Sequence, residues 1–176
     1  MPLGIHKRDV TLGDGESSYL AGGAILKGAV KVGGNEAKVR GREIIDGSDW
    51  GHFERREVPL RVTGRNVDVA GIIVRFSWRA GVSVVRTSDV DIRNVEICAS
   101  RFPNDDDITV SNADSVHVSE CFVRTDDDCI APKGYSADRR NGCNRIFEKC
   151  QLWCDRAIRF GSSSFCLTNR PGVKCR

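Results

Sequence analysis

The feature that most constrains this chain is a repeat. Residues 65–74, 88–97, 114–123 and 143–152 share one alternation of apolar and polar side chains, and a fainter copy spans 37–44. The equivalent positions Ile72, Val95, Cys121 and Cys150 fall 23, 26 and 29 residues apart. Period-two alternation marks a strand buried on one face. Each repeat is too short to close a crossover with a proper helix, and almost nothing in the chain sustains a capped 3.6-residue period. Short strands followed by turn residues, recurring at this interval, describe an all-β solenoid. The expected fold is a parallel β-helix, in which inward positions stack from coil to coil. Its inner column reads Ile72, Val95, Cys121, Cys150.

Composition narrows the rest. A chain of 176 residues with 40% apolar and 29% charged residues reads as a single domain over 1–176. Its formal charge of +3, without a basic stripe interleaved with aromatics, argues against a nucleic-acid partner. No apolar window is long enough for a membrane span, and residues 1–6 lack the apolar region of a signal peptide. Eight cysteines suggest an oxidising compartment, yet none form a C-x-x-C pair, which disfavours a zinc ribbon or thioredoxin-like site. Cys121 and Cys150 read as small buried hydrophobes, while a bridge between Cys166 and Cys175 stays open. A solenoid needs capped ends, and neither end of this sequence reads as a cap. The β-helix is therefore expected to be incomplete at both ends, a monomeric fragment of a longer catalytic domain.

Two acidic clusters stand on strands beside the repeats. They are Asn104-Asp105-Asp106-Asp107 and Asp126-Asp127-Asp128, with Asp106 and Asp127 21 residues apart, close to one coil. That spacing predicts Asp106 beside Asp127 on neighbouring strands roughly 4.8 Å apart, with Arg156 in the same column one coil later. Like charges held this close resist ionisation, so such a patch is costly. Turn capping accounts for Asp105 and Asp126, but poorly for two triplets in register. Carboxyls with split proton affinities supply a general acid and a general base, the pair that glycoside hydrolysis requires. Several Asp oxygens could also hold Ca²⁺, although the spacing of a known calcium loop is absent.

The same residues resemble a known family. The stretch 19–161 is similar to the pectin-lyase-like right-handed β-helix enzymes, and in particular to glycoside hydrolase family 28, the polygalacturonases. Residues 21–28 and 39–47 look like that family's first coils, and Arg75-Phe76-Ser77-Trp78 like its Asn-Ser-Pro-aromatic-Trp segment. Asn104-Asp105-Asp106-Asp107 resembles its Asn-Thr-Asp-Gly motif. Asp126-Asp127-Asp128-Cys129-Ile130-Ala131-Pro132-Lys133 resembles Gly-Asp-Asp-Cys-Ile-Ala-Ile-Lys. The resemblance implies that Asp106 and Asp128 activate water, that Asp127 is the general acid, and that Asn104 and Lys133 lie at the substrate. Two features depart from the pattern. Asp155-Arg156-Ala157 stands where the family has Gly-His-Gly, and its Arg-Ile-Lys substrate motif is missing.

Arg156 has two readings, bidentate binding of an anionic sugar or neutralisation of the acidic column. His6, His52 and His117 read as ordinary surface or loop residues. Trp50, Trp78 and Trp153 read mostly as packing, with Trp78 the one candidate for stacking on a sugar. The resemblance therefore implies a glycosidase acting on a pectin-like, anionic polysaccharide by an inverting Asp-based mechanism. It would need no metal or cofactor, and its parent protein would be extracellular or periplasmic. Two alternatives remain, a Ca²⁺-dependent lyase on the same fold with Arg156 as base, and a noncatalytic carbohydrate-binding solenoid.

Overall fold

The computed structural model describes residues 1–51, 57–98, 105–134, 144–154 and 156–158. Among these, twenty short strands, β1 to β20 in chain order, form three sheets and no helix. The first sheet stacks β1 (Gly4–His6), β4 (Ala24–Leu26), β7 (Ile44–Asp46), β10 (Ile73–Arg75), β13 (Glu96–Cys98), β16 (Phe122–Arg124) and β19 (Gln151–Trp153). The second stacks β2 (Val10–Leu12), β5 (Val30–Val32), β8 (Leu60–Val62), β11 (Val82–Val85), β14 (Ile108–Ser111), β17 (Asp128–Lys133) and β20 (Arg156–Ile158). The third stacks β3 (Ser17–Leu20), β6 (Lys38–Gly41), β9 (Val67–Ala70), β12 (Ser88–Arg93), β15 (Asp114–Ser119) and β18 (Arg145–Glu148). Each strand pairs in parallel with the strand three places further along, so three strands make one coil. The fold is the expected parallel β-helix.

The coils are held by a continuous apolar interior. Inward side chains such as Leu26, Ile45, Val74, Ile97 and Val123 in the first sheet and Leu60, Val82, Ile108 and Ile130 in the second are fully buried in one cluster. Burying one such side chain contributes about 1.5–3 kcal/mol. The expected inner column is present: Ile72, Val95 and Cys121 are buried, and Cys150 packs against them half-buried. Cys121 and Cys150 are both free thiols. A hydrogen bond with Cys150, and then burial, push the Cys121 thiol up, so it stays protonated.

This column sits at a sharp corner between the third sheet and the first. Gly71, Asn94, Glu120 and Lys149 each precede a column residue and adopt φ of 76°, 50°, 55° and 54°. One left-handed residue turns the chain there, a conformation that Gly and Asn reach most easily. The corner between the second and third sheets is tighter still. A Cβ on Gly64 would lie 1.8 Å from the carbonyl oxygen of Gly34, so these coils approach backbone to backbone. In the next coil the Thr87 hydroxyl donates to the Gly64 carbonyl.

The structure extends the repeat beyond its legible copies, since β1 to β5 build coils ahead of residue 37. It also contains a disulfide that the sequence reading did not anticipate, between Cys129 and Cys154, with 6.3 Å between Cα atoms. Cys143, Cys166 and Cys175 lie outside the described residues. His117 faces outward as expected, and its ring lies 3.2 Å from both Asp91 and Glu148. Among the described residues no helix is long and apolar enough to cross a membrane.

Candidate active site

The acidic residues gather where the chain enters β14 and β17. Ile108 lies opposite Ile130, and this register continued two residues back sets Asp106 against Asp128. The Asp107 amide donates to the Asp128 carbonyl at 3.0 Å, as a parallel ladder in that register requires. The spacing argument put Asp106 opposite Asp127. The coil is 22 residues long in this sheet rather than 21, so Asp128 takes that place and Asp127 sits in the turn just before it. The three still meet, with one carboxylate oxygen of each of Asp106, Asp127 and Asp128 lying within 4.8 Å of the others.

Two cations flank the trio. Lys133, at the end of β17, forms an ion pair with Asp106 in a half-buried setting. Arg156 pairs in register with Asp128 and holds its guanidinium 3.4 Å from Asp127 and 3.9 Å from Asp128. Arg156 therefore occupies the column predicted for it. Its side chain is 55% exposed, against 5% for Asp128, so it can turn outward while the aspartate cannot.

Asp105 fixes the turn from beneath. It is fully buried, accepts a hydrogen bond from the Ser77 hydroxyl on a carboxylate oxygen, and accepts another from the Thr125 hydroxyl on its backbone carbonyl. The Thr125 oxygen in turn accepts the Asp127 amide at 3.4 Å. Ser77 and Thr125 thus position the acidic turns of two successive coils, and neither was singled out from sequence. Thr125 carried one signal, a hydroxyl residue directly before the second cluster.

Asp107 differs from its neighbours. It is fully buried, and among the described residues neither carboxyl oxygen has a hydrogen-bond partner. Burial above all, and then the charges of Asp105, Asp106 and Asp126, raise its carboxyl well above the ordinary range. Burial thus favours its neutral form, which adds no charge to the repulsion within the outer trio.

Trp78 is not brought to this site as an open stacking surface. It is 7% exposed, packs with Trp50 and Ala29, and donates its indole N–H to the Glu57 carbonyl at 3.1 Å. Its large apolar ring is better satisfied inside the wall than facing water. Asn104 and His52 lie outside the described residues.

Comparison with known proteins gives this geometry a context. The sequence model of "Glycosyl hydrolases family 28" matches residues 32–151. The chain belongs to that family. An exopolygalacturonase of Arabidopsis thaliana, clone GBGE184, is 34% identical over 68 residues, which are 38% of this chain and 16% of that protein. The chain thus matches a small part of that relative's length. The family 28 exopolygalacturonase of Yersinia enterocolitica superposes with a TM-score of 0.77 at 17% identity, over 90% of this chain and 43% of that one. The polygalacturonase of Erwinia carotovora ssp. carotovora gives 0.69 at 12% identity, over 88% and 57%. At these identities the structural likeness establishes the β-helix alone. The family match takes in Asp106, Asp127, Asp128 and Lys133 and ends before Arg156.

Proposed function

We propose that this family 28 domain is the site-bearing part of a secreted, monomeric glycosidase that hydrolyses an anionic, galacturonan-like polysaccharide. The observation that carries this reading is the convergence of one carboxylate oxygen each of Asp106, Asp127 and Asp128 to within 4.8 Å where the chain enters β14 and β17. Three carboxyls divide into one proton donor and two water-holding bases. In this reading Asp127 protonates the leaving oxygen, while Asp106 and Asp128 orient and deprotonate the attacking water, so the anomeric configuration inverts. Lys133 keeps Asp106 in place, and Arg156, half exposed, exchanges its carboxylate partners for a sugar carboxylate. The Cys129–Cys154 disulfide supports passage through an oxidising compartment.

The same trio admits a second reading, a retaining hydrolase. Opposed carboxyls of inverting enzymes stand roughly 6.5–9.5 Å apart, and those of retaining enzymes roughly 5–5.5 Å. In that reading one aspartate attacks the anomeric carbon as the leaving oxygen is protonated, and water then hydrolyses the covalent glycosyl intermediate. A calcium-dependent lyase is the less favoured chemistry, because Lys133 and Arg156 already offset much of the trio's charge.

Proton NMR of products freshly released from polygalacturonate separates these readings. Saturated ends of inverted configuration are expected, and they should form in the presence of a calcium chelator. Retained configuration selects the second reading, and unsaturated ends that depend on calcium overturn both.

A further inference from the structure

Cys121 and Cys150 are consecutive members of the inner column, at the corner between the third sheet and the first, and the hydrolytic chemistry uses neither. Phe122 pairs with Gln151, and the Gln151 amide donates to the Cys121 carbonyl at 2.8 Å, so the register sets Cys121 directly opposite Cys150. Their Cα atoms are then about one strand spacing apart, roughly 4.8 Å. A disulfide spans roughly 4.4–6.8 Å between Cα atoms. The two side chains also take the same pose. Cys121 Sγ lies 3.2 Å from the Ser119 carbonyl oxygen and 3.8 Å from that of Ile92, and Cys150 Sγ lies 3.3 Å from that of Glu148 and 3.8 Å from that of Val118. Ile92 and Val118 are themselves in register, so the two sulfurs stack one coil apart and are hydrogen-bonded to each other.

The partners are not equivalent. Cys121 is 1% exposed, whereas Cys150 is half-buried and open to a small reagent. The hydrogen bond from Cys121 above all lowers the Cys150 thiol below its ordinary range, and the same bond raises Cys121. One sulfur therefore has thiolate character and some access, and the other is a shielded thiol held against it. That division suits a nucleophile and a resolving partner. Cys98 is the third free thiol among the described residues and the most exposed, but burial of its sulfur pushes the thiol up and no second free cysteine faces it in register.

We infer that Cys121 and Cys150 form a redox-active dithiol, in which a peroxide oxidises Cys150 and Cys121 then closes on it as a disulfide between successive coils. The Cys150 thiolate attacks one peroxide oxygen, the O–O bond breaks, and Cys150 becomes a sulfenic acid while the departing hydroxide takes up the proton that Cys150 released. The Cys121 sulfur then attacks the Cys150 sulfur. The S–OH bond breaks, and the hydroxyl leaves with the Cys121 proton as water. Two thiols lose two electrons in all, and one hydrogen peroxide is reduced to two waters. The product is a second staple between the coils that Cys129–Cys154 already joins, one carrying Asp128 and the other Arg156. This pairing stands whether or not the aspartates hydrolyse a glycoside.

The test is disulfide mapping by mass spectrometry on the whole folded chain. It is treated with hydrogen peroxide, unfolded in N-ethylmaleimide and digested with chymotrypsin, which cuts at Trp153 between Cys150 and Cys154. The parent is expected to yield a linked Cys121–Cys150 peptide pair, and to lose the Cys150 thiol about tenfold or more faster than the Cys98 thiol. Cys121→Ser should leave Cys150 as a sulfenic acid that dimedone captures and that excess peroxide carries on to the sulfinic acid. Cys150→Ser should leave the Cys121 thiol intact over the time in which the parent is fully oxidised. Cys121 and Cys150 both still alkylated in the parent once Cys98 is consumed, or Cys150 oxidised to sulfinic acid with no linked pair, would overturn the inference. So would oxidation of Cys121 at the parent rate in Cys150→Ser. The parent map decides the question by itself if a serine variant does not fold.

Discussion

At the scale of single residues, the carboxyl that the mechanism does not use carries a clear signature. Asp107 is buried without a hydrogen-bond partner among the described residues, and its proton affinity is raised by burial and by its acidic neighbours. Below the ordinary value of 3.8 both folded and unfolded chains carry that proton. Above it the unfolded chain releases the proton while the folded chain keeps it, so Asp107 costs increasing stability as pH climbs towards its folded value. Asp107→Asn removes that dependence. The melting temperature of the variant relative to the parent should therefore rise from pH 4 to pH 7, and a difference independent of pH would show that Asp107 is ionised in the fold. The clusters themselves were legible from sequence because two Asp triplets one coil apart have no bland explanation in common. What stayed illegible was which aspartate faces which. A coil of 22 rather than 21 residues decides that, and turn conformation sets coil length.

Within the elements, corners and a cross-link carry the load that the strands cannot. Asn94 is exposed, at φ 50°, and turns the chain into β13. Asn94→Val puts a β-branched residue in the left-handed region and should cost about 1–2 kcal/mol, whereas Asn94→Gly should be close to neutral. Chemical denaturation of both variants checks the contrast, and equal losses would mean that the Asn side chain rather than its backbone matters. The Cys129–Cys154 disulfide ties β17 to the end of β19 across a sequence separation of 25. Loop-closure entropy for a loop of that length is worth about 3 kcal/mol, so reduction should lower the melting temperature by roughly 6–12 °C. The strands after residue 65 were readable because their alternation is clean. The early ones were not, since three-residue strands such as Gly4-Ile5-His6, only partly buried, leave too little pattern to detect. The disulfide was hidden for a related reason, as its two cysteines become neighbours only once the coils are stacked.

For the whole molecule, the solenoid turns a sequence interval into a spatial column, and this is why function could be read at all. Residues one coil apart become neighbours on a strand spacing of about 4.8 Å, so an acidic trio and its two cations lie along a single sheet. Trp78 marks the boundary of that logic. It sits in a turn rather than a strand, and its inward packing follows from local crowding by Trp50 that no repeat encodes. The central claim is that the aspartate column is a hydrolytic site, and reducing-end release addresses it most directly. Polygalacturonate and a panel of neutral glycans would be incubated with the purified chain and with Asp127→Asn, both shown to be folded. The account predicts new reducing ends from polygalacturonate with the parent, and a loss of at least a thousandfold in the variant. Undiminished release by Asp127→Asn, or none by the folded parent on any glycan, would contradict it.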